Sequence, residues 1–157
     1  GGKVNPPTWA GNIPEYIKNR RSVYLPFKRE RPLGELEILS AFDFPHPNDI
    51  TGARSNTTVA TQALFLLNAP FVKQQAAKLA ERLQQHQPDD DRARINQLYL
   101  LTVNCPPEDY EIEIALTFLE QCTQDLIAAS DATKARSAAW TQLCHAVLAS
   151  NRFLFRE

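Results

Sequence analysis

The sequence predicts a mainly α-helical fold: an irregular bundle of five or six helices carrying an extended, proline-rich N-terminal arm. Three observations lead there. Apolar residues recur every three or four positions through most of residues 57–150, the period of a helix with one buried face. Proline, asparagine and aspartate punctuate those runs at 68–70, 88–91, 105–109 and 131, where helices stop and restart. Only five glycines occur in the 157 residues, too few for a glycine-rich sheet protein.

Residues 1–33 form the arm. They contain Pro6, Pro7, Pro14, Pro26 and Pro32, which resist regular helix. Trp9, Ile13, Tyr16 and Ile17 can pin the arm to a helical body, and Ser22 to Phe27 reads as a short extended piece. Arg20, Arg21, Lys28, Arg29 and Arg31 surround that piece. A polyanion surface would use such residues, with Tyr24 and Phe27 as stacking platforms. Acidic Glu30, Glu35 and Glu37 follow closely, so a solvated, internally paired face accounts for the cluster as well.

Residues 34–157 are expected to form the helical domain. A short helix is predicted over Leu33 to Phe42, closed by Pro45 and Pro47, which bias the preceding residues away from helix. Thr57 or Thr58 offers an N-cap hydroxyl to a helix running to about Leu67. Its consecutive Leu64, Phe65, Leu66 and Leu67 predict the central and most buried element. Asn68 stops it, and Pro70 suits the first turn of the next helix. That helix reads 70–87, with Val72, Ala76, Leu79 and Leu83 inward and Lys73, Gln74, Lys78, Glu81 and Gln85 outward.

A third segment reads 90–103, with Asp90 and Asp91 at its positive end and Ile95, Leu98, Tyr99 and Thr102 along its face. Pro106 and Pro107 break the chain before Glu108 and Asp109 open a helix to about Ser130. Its core face is Ile112, Ala115, Leu116, Leu119, Cys122 and Leu126. Asp131 caps a last long helix over 132–150, striped by Ala139, Trp140, Leu143, Cys144, Val147 and Leu148. Phe153, Leu154 and Phe155 end the chain with apolar residues that are expected to fold back and dock. Short connections favour antiparallel neighbours.

Composition narrows the function classes. The 17 basic and 18 acidic residues give a formal charge of -1, which offers no general attraction to nucleic acid or an anionic membrane. No apolar stretch approaches the ~18 residues that a membrane span needs, so no direct membrane insertion is expected. The chain begins at Gly1 and reads as a piece of a longer parent, so the lack of a signal peptide says nothing about targeting. Three cysteines, Cys105, Cys122 and Cys144, cannot all pair within one chain. None sits in a CxxC unit. They read as free thiols packing as small hydrophobes, with a Cys105–Cys122 or Cys122–Cys144 bridge as the alternative if the parent is exported.

No complete catalytic set appears: no GxSxG, HExxH, phosphate-binding glycine loop or EF-hand loop. The best polar constellation is Asp43, Arg54, Thr57, Thr58, Gln62 and Asn68. In a structural network, Asp43 and Arg54 close the loop as a charge-assisted pair, the threonines cap the helix, and Gln62 and Asn68 hold loop carbonyls. In a pocket, Arg54 binds an anion and Asp43 works as acid or base. His46, between two prolines and near Asp43 and Asp49, is the one weak metal candidate. His145 follows Cys144 on a helix, where adjacent residues point about 100° apart, so the two make no Cys-His dyad. No cofactor is called for.

Several segments together carry a family resemblance: Arg20 to Pro26, Phe42-Asp43-Phe44, Arg54 with Thr57-Thr58-Val59, Gln62 to Asn68, Pro70-Phe71-Val72, the Cys105-Pro106-Pro107 corner, and Trp140 through Asn151 to Leu154. The chain resembles the C-terminal part of a planctomycete-type family of domains of unknown function (DUF1553, PSD1-like). These usually follow a second uncharacterised domain and a cytochrome-c-like domain. The resemblance implies an exported protein, periplasmic or associated with the cell envelope, of which this chain is one module. Family members often carry Arg where this chain has Cys105 and Glu where it has Arg152. The family lends no activity. The resemblance and the apolar ends imply a structural or interaction role, docking against the upstream region of the same parent through Trp9, Phe153 and Phe155. Two alternatives remain: an accessory part of an extracellular, glycan-related enzyme, and a small anion- or metal-binding module.

Overall fold

The structure is a computed structural model and describes residues 41–42, 59–86, 90–127 and 131–155. The N-terminal arm, with Trp9 and the basic cluster, lies outside the described residues, as does most of the helix expected over 33–42. Ala60–Glu157 form one compact unit of the chain. The described residues are mainly α-helical, as expected, and contain six helices and no strand.

The first helix, α1, spans Val59–Asn68, and α2 spans Pro70–His86. Only Ala69 separates them. Its N–H still donates to Phe65 O at 2.8 Å, and its carbonyl accepts from Lys73 N at 3.2 Å. Pro70 lacks an N–H, so the ladder loses a donor at that point and the helix restarts. The inward face of α2 is Val72, Ala76, Ala80 and Leu83, with Leu79 half-buried and all five expected outward residues exposed.

Helix α3 spans Asp91–Thr102. Asp90 caps it, its side chain accepting from Ala93 N at 3.0 Å, which satisfies one of the unpaired amides of the first turn. The helix ends because Asn104 takes a φ of 58°, a left-handed conformation that asparagine tolerates better than most residues. The two prolines then prevent any restart before residue 108. Helix α4, Asp109–Ile127, opens with half of a capping box: the carboxylate of Glu111 reaches back to Glu108 N at 2.8 Å.

Helix α5 spans Ala132–Leu148. Asp131 stands at its N-cap in extended conformation, but its side chain makes no capping hydrogen bond, so its expected role there is positional only. Ser150 caps a short last helix, α6, Asn151–Leu154, accepting from Phe153 N and donating to Val147 O at 2.7 Å.

The core lies where α5 packs between α2 and α4, with α3 closing the side. Trp140, Leu83, Ile95, Leu98, Leu119 and Cys144 are its largest fully buried side chains. Each large apolar one contributes roughly 1.5–3 kcal/mol by leaving water. Ala76, Ala80, Ala115 and Ala139 occupy the same cluster, and their small side chains let the helix axes approach closely.

The expectation for α1 needs correction. It is the most apolar helix in composition, yet Leu64 is 61% and Leu67 49% exposed, and among its described side chains only Leu66 is buried. The central element is α5. Four consecutive large apolar residues point around a helix, so a helix lying on the bundle's edge can bury only a fraction of them.

Candidate functional site

Of the polar constellation read from the sequence, Asp43, Arg54, Thr57 and Thr58 lie outside the described residues, and so does His46. Gln62 and Asn68 are both on α1, Gln62 half-buried and Asn68 exposed. Six residues apart on a helix, they point to different sides. Asn68 Nδ2 donates to Leu64 O at 3.0 Å, within its own helix. The two described members therefore do not converge on one point.

Three other polar clusters organise the unit. The first bridges α1 and α5. Pro70 leaves Leu66 O without its usual donor four residues on. His145 Nε2 lies 2.9 Å from that oxygen. A carbonyl only accepts, so Nε2 carries the hydrogen and donates. A residue 79 positions away thus fills the gap that a proline opens.

The second cluster joins α3, α4 and α5 around Asp91. Its Oδ1 accepts from Arg94 Nη1 at 2.9 Å, and its Oδ2 accepts from Arg136 Nη2. Arg136 Nη1 also donates to Thr123 Oγ1 at 3.3 Å. Arg94 is only 7% exposed, and its guanidinium stands 5.4 Å from the centre of the Trp140 ring, a cation–π distance. Burying a charge is tolerable when it is paired and hydrogen-bonded, and Asp91 supplies the partner. Two buried atoms close to this part of the chain, Gln97 Oε1 and Trp140 Nε1, have no hydrogen-bond partner. The sequence signal for the cluster was the Asp91–Arg94 spacing of one helical turn. The Arg136 contact had none.

The third cluster pins α6 to the α3–α4 corner. Arg152 donates to Glu111 Oε2 and to Pro106 O, and lies 5.6 Å from the centre of the Tyr99 ring. The hydrogen bond it donates to Glu111, ahead of the charge on that carboxylate, holds the guanidinium even more firmly protonated than usual, and the Cys105 thiol adds to this. Cys105 and Arg152 therefore meet at one corner. Burial, then Glu111, raises the Tyr99 hydroxyl pKa, and Arg152 opposes that rise. Glu111 thus serves twice, capping its own helix and holding the C-terminal one.

All three cysteines are free, so neither alternative bridge forms. Cys144 is fully buried, and burial pushes its thiol up to about 12. It is a poor nucleophile for that reason. Burial and then Asp125 also raise Cys122. No group of metal-ligating residues occurs among the described residues. Asp90 and Asp91 are engaged as helix cap and ion-pair partner. Among the described residues no helix is long and apolar enough to cross a membrane.

The described surface carries several large apolar side chains. Leu64, Leu67 and Phe71 follow one another along α1 and the first turn of α2, and Phe153 and Phe155 are 39% and 47% exposed at the chain's end.

No curated protein and no solved structure matches this chain. The sequence pattern of one family does, over residues 3–119. The match takes in the arm and the first four described helices up to Leu119, and stops short of Trp140 and of Asn151 to Leu154, which the resemblance also used. Because the match covers well over half of the chain, the chain belongs to the PSD1 family, proteins of unknown function (DUF1553).

Proposed function

We propose that this helical domain is a structural or interaction module of an exported multidomain protein, and that it docks against the upstream region of the same parent through exposed apolar side chains. The observation that carries the reading is the exposure of Leu64 and Leu67, at 61% and 49%, on the most apolar helix of the unit. Large apolar side chains grouped on a surface mark interaction sites more often than idle surface. Phe153 and Phe155 offer a second apolar group at the chain's end. The polar clusters support a structural role, since their hydrogen bonds and ion pairs hold one helix to another. Export would expose thiols to oxidation; the core shields Cys144 and half-buries Cys122, leaving Cys105 exposed.

Native mass spectrometry tests the reading. This chain and the region preceding it in the parent would be produced as separate polypeptides and mixed. A one-to-one complex is expected, and the pair Leu64→Asp, Leu67→Asp should weaken it at least tenfold while leaving the helical content unchanged. Two bare monomers from the unsubstituted pair, at concentrations well above micromolar, would overturn docking.

A further inference from the structure

We draw no further inference here: the strongest candidate, the exposed apolar stripe of Leu64, Leu67 and Phe71 along α1 and the first turn of α2, belongs to the surface already proposed for docking, and nothing in the structure shows what covers it.

Discussion

Helices α1 and α5 invert the usual link between composition and burial. Helix α1 is the more apolar of the two, yet Leu64 and Leu67 face solvent. Helix α5 carries Thr133, Lys134, Arg136, Ser137, Thr141 and Gln142, yet buries Ala135, Ala139, Trp140, Leu143, Cys144 and Val147. The difference is in the neighbours. Helix α5 has α2 on one side and α4 on the other, while α1 packs extensively on none of the described helices. Hydrophobic stabilisation scales with area removed from water, so the helix with partners stabilises the unit and the greasier one contributes less. What α1 retains is unspent apolar surface.

The sharpest way to break this comparison is Trp140→Ala. The side chain is fully buried, and its removal should cost about 3–5 kcal/mol through lost burial and a cavity. The urea midpoint at unchanged slope reports it. A loss below about 1 kcal/mol would mean that α5 is not the centre of the core.

The thiol of Cys144 gives the next largest effect. Its pKa is raised from the ordinary 9.0 to about 12 by burial. The unfolded chain sheds this proton from about pH 9, whereas the core holds it. Fewer protons are then bound in the unfolded state, so stability is fully present below pH 9 and falls as pH rises toward 12. The loss between pH 8 and 10 should be about 1.4 kcal/mol. Cys144→Ala should remove most of that slope, although Cys122, also raised by burial, leaves a remainder. Tyr99, whose raised pKa acts in the same direction, adds to the loss only as pH approaches 10 and is unaffected by the Cys144 substitution. An unchanged slope in Cys144→Ala would show that the thiol is not held in the core.

The polar tie between the two helices, His145 to the Leu66 carbonyl, is testable by a cycle. His145→Ala strips the Leu66 carbonyl of its donor and should cost about 1–3 kcal/mol. Pro70→Ala restores a backbone N–H four residues after Leu66, so the same histidine substitution should cost less in that background, with a coupling of about 1 kcal/mol. Equal costs in both backgrounds would separate the histidine from the proline gap.

These residues also show what the sequence could reveal. The inward faces of α2, α4 and α5 were legible because periodic apolar positions report a face directly: Val72, Ala76 and Leu83 are buried as expected. The helix boundaries at Asn68, Asp90 and Pro107 were legible because capping and proline chemistry are local. Burial of α1 was misread because Leu64 to Leu67 carry no periodicity, and an unbroken apolar run does not say which side has a neighbour. Arg94 and Arg136 were missed as a pair around Asp91 because their meeting depends on how α3 and α5 cross. His145 stood between these cases: Pro70 announced an orphaned carbonyl at Leu66, but nothing local named the donor. Of the candidate polar site, only Gln62 and Asn68 fall among the described residues.

The smallest effect should come from the greasiest helix. Leu64→Ser and Leu67→Ser, at positions already about half in water or more, should each change the stability of this chain alone by no more than about 0.5 kcal/mol. That is several-fold below Trp140→Ala, although a large apolar side chain is lost in each case. The contrast separates two meanings of an apolar residue. Inside α5 it holds the unit together, and its loss is felt at once. On α1 its loss should be felt only when the surface it serves is engaged. If Leu64→Ser destabilised the isolated chain as strongly as a core substitution, α1 would be packed rather than exposed, and the surface proposed for docking would already be spent on the domain's own stability.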